Sequence, residues 1–333
     1  MAIKIGLIGC GGITRQHIKG YLSLPQKVQV TAVSDVILEQ AQTRADEVGG
    51  ADIYNDYHEM LATADINAVD ICLPHYLHKE AIVAAANAKK HILCEKPLCL
   101  TVAEANAIQQ TITENGVTLM CAHNQLTMPA VAKARQLLQE GLLGKIYEIR
   151  TTDSFYHTFD PNSIGWRGQR SMIGGGELID TGYHPTYLLL YLAGSEPVEV
   201  MALLSKHRLT FMDGEDSAQV LVRFADGAVG TIVTSWAYEP AAITEKFSIV
   251  AEKGSLYSYG SDLFYKLHGE EPQKIELPSV NTFVEEIEDF INCLLEGRRP
   301  INTEIEGINV LKVILGAYKS VEEKRTIILT DLQ

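Results

Sequence analysis

The chain predicts an α/β fold in two parts, a helix-covered parallel sheet followed by a strand-rich α+β half. Three observations carry that reading. Short β-branched runs alternate with segments of helical period as far as residue 122, a glycine cluster directly follows the first run, and beyond residue 122 strand-like runs dominate. At 333 residues, 46% hydrophobic and 21% charged, the chain is long enough for two cores. The expected domains are 1–122 and 123–333.

In chain order, strands are expected at 3–8, 28–34, 69–73, 91–94 and 117–121, with a short one at Ile53 and Tyr54. Between them Ile37, Leu38, Ala41, Ala45 and Val48 share one helical face, as do Ala81, Ile82 and Ala85. Thr101 with Glu104 three residues on forms a capping box, so a helix should start there. In the second half, Val131, Ala134, Leu137 and Leu138 line one side of a helix over 129–140 that Gly141 stops. Strands follow at 146–152, 198–204, 217–224, 228–236 and 247–251, the third and fourth joined by an Asp226-Gly227 hairpin turn. Phe283, Ile287, Phe290, Ile291, Leu294 and Leu295 form a last helical stripe before Gly297, assigned by position to the second domain.

Lys and Arg number 28 against 42 Asp and Glu, a net charge of −14. A surface this acidic repels phosphate backbones and anionic lipid, which argues against nucleic acid and membranes as partners. No apolar run is long enough to span a bilayer, and the opening residues run straight into a strand rather than a secretory signal, so a cytoplasmic location is expected. The six cysteines form no C-x-x-C pair and mostly lie in or beside apolar runs, as reduced, buried thiols would.

Gly9, Cys10, Gly11, Gly12 and Ile13 follow the first strand and open a helix. There a glycine permits the sharp turn, another lets backbone approach a pyrophosphate, and the helix N-terminus favours the anion. Thr14 stands where a third fingerprint glycine often lies, and a glycine turn without a ligand is the alternative. Asp35 ends the second strand, where an acid bonds adenosine ribose hydroxyls and repels a 2′-phosphate; Val36 adds no positive charge. NAD is therefore favoured over NADP, with a helix-capping Asp35 as the other reading.

Further on stand Pro74-His75-Tyr76-Leu77-His78, then Glu95-Lys96-Pro97, then the run from Gly174, Gly175 and Gly176 through Asp180 to His184. In this order, with the glycine turn, they resemble the glucose–fructose oxidoreductase / inositol dehydrogenase / rhizopine catabolism (Gfo/Idh/MocA) family over nearly the whole chain. The resemblance implies an N-terminal Rossmann domain and a C-terminal domain with a large, mostly antiparallel open sheet that pairs subunits into a dimer or tetramer. It implies cofactor contacts from Leu73, Pro74, His75, His78, Glu95 and Lys96, with Lys96 also touching substrate and Lys96–Pro97 a cis peptide.

Read as chemistry, a cleft lysine polarises a hydroxyl, whereas a surface lysine capping a strand has no such role. Asp180 and His184 are four apart, on one face if helical, and an imidazole near its ordinary pKa can take an alcohol proton as hydride leaves. A lone His beside an Asp is also a common structural pair. The triple glycine would let backbone approach a bound sugar or cofactor. Tyr187 occupies a position where relatives often carry Asp.

Asn124 matches an Asn at the family's domain junction. Trp166 and Arg167, and more weakly Tyr156 and His157, are candidates for sugar contact or for plain packing. His75 and His78 with nearby Cys72 raise a metal reading, but no ligand cluster completes it and hydride transfer needs none, so no metal is expected. Together these expectations describe a dehydrogenase of a small polyhydroxylated substrate, a sugar, sugar derivative or cyclitol. A glycosidase using NAD for transient oxidation and a non-catalytic NAD-binding sugar sensor are the alternatives.

Overall fold

The computed structural model describes residues 2–240 and 245–332. In chain order its elements begin β1 (Ile3–Ile8), α1 (Thr14–Leu22), β2 (Val28–Ser34), α2 (Leu38–Glu47), β3 (Asp52–Tyr54), α3 (Tyr57–Thr63), β4 (Ala68–Ile71), α4 (His78–Asn87), β5 (His91–Glu95), α5 (Val102–Asn115) and β6 (Leu119–Ala122). Next come α6 (Pro129–Gln139), β7 (Ile146–Ser154), α7 (Arg170–Ile173), α8 (Glu177–Asp180), α9 (Tyr183–Ala193), β8 (Pro197–Ser205), β9 (Ser217–Phe224) and β10 (Val229–Ser235). The chain continues through β11 (Phe247–Ala251), β12 (Gly254–Tyr259), β13 (Asp262–Leu267), β14 (Gln273–Ile275), α10 (Thr282–Glu296), α11 (Glu304–Glu323) and β15 (Ile327–Ile328).

Two compact units result: Met1–Asn124 with Val280–Ile308, and Gln125–Ser279 with Asn309–Gln333. The first holds a six-stranded parallel sheet in the order β3-β2-β1-β4-β5-β6, the Rossmann arrangement. Helices cover both faces of such a sheet, which is why β4 and β6 are buried at every residue instead of alternating. At the N-terminus of α5 the Thr101 hydroxyl accepts the Glu104 amide while Glu104 reaches back to the Thr101 amide, completing the capping box.

One sequence expectation is corrected here. The stripe on α10, assigned by position to the second domain, packs in the first core, where Ile287, Phe290 and Ile291 join Ile5, Leu7, Ile18 and Tyr21. α1 offers Gly20 to it so closely that a Cβ there would meet Ile287 at 2.6 Å. A boundary at 122/123 therefore separates this helix from the apolar surface that covers it.

The second unit is built on a nine-stranded sheet, β14-β13-β12-β11-β7-β10-β9-β8-β15, antiparallel except for β7 with β10. Along β9 buried and exposed residues alternate, so one face meets the helices and the other points outward. The 225–227 hairpin forms as expected, with Gly227 at φ +92°. Among the described residues no helix is long and apolar enough to cross a membrane, and all six cysteines are free and buried.

Candidate functional site

At the end of β1, Gly9 adopts φ +93°, and a Cβ there would lie 2.5 Å from the Cys72 carbonyl oxygen, so both turn and packing demand glycine. Gly11 and Gly12 differ. No described atom lies within 4 Å of a Cβ built on either, which leaves backbone open to a bulky anion at the start of α1. Thr14, in place of the third glycine, is fully buried and its hydroxyl donates to Gly9 O at 2.8 Å, closing the turn from within. The residues present thus fit a dinucleotide pyrophosphate.

Asp35 ties this turn to the next helix: Cys10 N donates to Oδ2 at 2.7 Å and Ile37 N to Oδ1 at 2.8 Å. The cap-like bond is therefore real, and each oxygen keeps lone-pair capacity for a ribose hydroxyl. Val36 is 82% exposed and brings no cation. Arg44, which sequence reasoning passed over, donates from Nε to Cys10 O at 3.2 Å and pairs with Glu47.

Lys96–Pro97 is cis. Lys96 is half-buried between the buried Glu95 and Pro97. Two neighbours expected to touch the cofactor have side chains engaged within the protein. His78 is fully buried, with Nδ1 2.7 Å from Pro97 O and Nε2 2.8 Å from Leu73 O, so the ring is spent on main chain. Glu95 is spent on His17, 3.1 Å away, and on the Lys96 amide, also at 3.1 Å. Pro74 caps the short turn over His75–Leu77, and His75 is buried with its ring centroid 5.9 Å from that of His78. Asn124 donates to the Thr282 hydroxyl of α10 at 3.2 Å. Burial, reinforced by the Lys96 charge, lowers the His123 imidazole to about 3.

In the second unit Asp180 and His184 do not share one continuous helix as expected. α8 ends at Asp180 and α9 begins at Tyr183, and Gly182 N reaches back five residues to Glu177 O at 2.9 Å. Thr181 and Gly182 keep right-handed helical dihedrals, and a Cβ at Gly182 would stand 2.7 Å from the Leu178 backbone. Trp236 pins this joint by donating to the Thr181 hydroxyl at 2.8 Å.

Gly175 and Gly176 make room inside the protein itself. A Cβ on Gly175 would lie 2.1 Å from the Tyr318 hydroxyl, and one on Gly176 would lie 2.2 Å from Glu215 O. They admit the protein's own Tyr318 and Glu215. Tyr318 donates to Glu215 at 2.9 Å and accepts Gly176 N at 3.2 Å. Beneath them burial pushes the Glu177 carboxyl well above the ordinary range.

Around this joint the predicted residues gather. Arg167 Nε donates to Asp180 Oδ2 at 2.9 Å while its guanidinium lies 4.3 Å over the Trp166 ring. His184 Nδ1 is 2.7 Å from the Tyr187 hydroxyl, which accepts Gln125 N at 3.2 Å. Tyr187, at the position where relatives often carry Asp, thus supplies a partner for His184 Nδ1. His157 stacks on Phe159 at 3.5 Å; burial, then the Arg167 charge, lowers its pKa while Asp180 opposes. Tyr156 stays half exposed, with Arg208 4.0 Å over its ring. This arrangement can hold a carboxylate and an imidazole in set orientations beside an indole face.

Residues 3–123 match the GFO_IDH_MocA model, described as an oxidoreductase family with an NAD-binding Rossmann fold, and residues 131–257 match the GFO/IDH/MocA C-terminal domain. The levoglucosan dehydrogenase of Pseudarthrobacter phenanthrenivorans is 33% identical over 260 residues, 69% of this chain and 66% of that one. The myo-inositol 2-dehydrogenase of Thermotoga maritima is 26% identical over 99% of each chain. A solved levoglucosan dehydrogenase in complex with NADH superposes with a TM-score of 0.91 at 26% identity, covering 99% of both chains.

Proposed function

Because the chain belongs to the GFO/IDH/MocA oxidoreductase family, we propose that it is an NAD-dependent dehydrogenase oxidising a secondary hydroxyl of a sugar, sugar derivative or cyclitol. The observation that carries this reading is the pair of oriented groups at the α8–α9 joint, Asp180 held by Arg167 and His184 held at Nδ1 by Tyr187. In this reading Nδ1–H donates to the Tyr187 oxygen, which leaves Nε2 as the nitrogen assigned to take the hydroxyl proton. Lys96 stabilises the developing alkoxide as a point charge, Asp180 receives the substrate's other hydroxyls, and Trp166 offers its face to C–H groups. Bound NAD+ supplies the hydride acceptor, so the protein's share is orientation and electrostatics.

NAD is preferred to NADP in this reading because Asp35 lies at the end of β2 and the exposed Val36 and Ile37 offer a 2′-phosphate no charge. Self-association through the outer face of the nine-stranded sheet and a cytoplasmic setting, in which buried free thiols stay reduced, belong to the same proposal. The test is NADH absorbance during incubation of the full chain with NAD+ or NADP+ and a panel of sugars, anhydrosugars, inositols and uronic acids. Net NADH with at least one polyol, abolished by His184→Ala, is expected. Turnover of a glycoside without net NADH, or NAD binding with no turnover of any polyol, overturns the proposal.

A further inference from the structure

Inside the first unit one imidazole sits among several acidic groups. His17, on α1 and fully buried, has Nδ1 2.9 Å from Asp70 Oδ2 and Nε2 3.1 Å from Glu95 Oε1. The same Asp70 oxygen accepts the Tyr21 hydroxyl at 3.0 Å, and Cys72 Sγ lies 3.7 Å from His17 Nδ1. Glu286 faces the group from α10, its carboxyl pushed well above the ordinary range by burial and, against the pull of His17, by Glu95 and Asp70. Burial by itself would lower the His17 imidazole; Asp70 and then Cys72 outweigh it and hold it well above its usual value. An imidazole facing an acceptor at each nitrogen donates at both only when protonated. The ring is thus a cation shared by two carboxylates.

His17, Asp70 and Cys72 also bring ligand-type atoms within 4.8 Å of one another, the composition of a metal site. A metal ion, however, would have to displace the carboxylate from a ring nitrogen already at hydrogen-bond distance, and a proton satisfies both nitrogens as they stand.

The network extends to the Lys96 turn. Glu95 gives one oxygen to His17 and the other to the Lys96 amide, at 3.1 Å in each case. We infer that His17 is a positioning residue for Lys96: by bridging Asp70 and Glu95 it keeps the Glu95 carboxylate on the Lys96 amide and so sets the direction in which the lysine leaves β5. Because α1 also forms the floor of the glycine turn, a single brace joins the dinucleotide cradle to the lysine. The inference rests on the role proposed for Lys96.

Full-length His17→Gln, Lys96→Met and the double variant are compared by initial-rate kinetics with the polyol found in the panel, after thermal melts confirm folding. His17→Gln is expected to lower kcat about 10- to 100-fold, the scale of an ångström-level misplacement, with the polyol KM changed less than about threefold. In the Lys96→Met background it should cost nothing further, since no lysine remains to be aimed. Losses that multiply in the double variant, or wild-type kcat in folded His17→Gln, overturn the inference. If His17→Gln does not fold, Glu95→Gln replaces it under the same expectations. If no polyol reduces NAD+, the activity reading fails by itself; the crystal structure of the variant then decides, a displaced Lys96 main chain supporting the brace and an unmoved one refuting it.

Discussion

Glu286 is fully buried on α10, and neither carboxyl oxygen has a partner among the described residues. Its pKa is raised well above the ordinary 4.5, chiefly by burial, so the folded state holds the proton through a range where the unfolded chain has released it. The sign follows: its contribution to stability is full below about pH 4.5 and is lost as pH rises through the folded pKa, at up to about 1.4 kcal/mol per pH unit. Glu286→Gln, which cannot ionise in either state, should therefore gain melting temperature relative to wild type as pH goes from 4.5 to 8. Melts that keep a constant difference across that range would refute a neutral buried acid. The sequence held a faint mark of this network, for Asp70 interrupts an otherwise apolar run between Val69 and Ile71. Nothing in the linear order says that the interruption answers a histidine 53 residues earlier. Tyr187 was legible only as a missing Asp; that a phenol could take up the His184 bond depended on three-dimensional placement.

Elements with a strong local signature were readable: the glycine turn, the capping box of α5, the hairpin between β9 and β10, and strands whose period matched their burial. β12 and β13 were not, because Ser255, Tyr257, Ser258 and Lys266 dilute the alternation that marks a half-buried strand, and β14 is only three residues long. Glycines gave the most instructive difference, since one residue type serves two opposite ends. Ala at position 175 would push into Tyr318, which braces Gly176 and Glu215, so Gly175→Ala should destabilise by about 1–3 kcal/mol as overpacking does. Gly11→Ala meets no protein atom and should leave the melting temperature unchanged while weakening NADH binding, measured by nucleotide fluorescence. Wild-type NADH affinity in Gly11→Ala would remove the pyrophosphate from that turn.

At the scale of the whole molecule, the outer face of the nine-stranded sheet exposes Met201, Leu203, Leu221, Val250 and Tyr259, with Leu203 73% accessible. This is the face proposed above for self-association, and on it Met201 pairs directly with Leu221 across β8 and β9. If the proposed self-association holds, Leu203→Glu with Leu221→Glu is predicted to shift the protein to monomer in sedimentation velocity; an unchanged sedimentation coefficient would refute association through this face.

The path of the chain has its own consequence for how the protein is made. The first core needs α10, so residues 125–279, the larger part of the second unit, must leave the ribosome before the segment that finishes the first. Until then Ile5, Leu7 and Ile18 lack the covering supplied by Ile287, Phe290 and Ile291, and the nascent protein carries an open apolar seam through most of its synthesis.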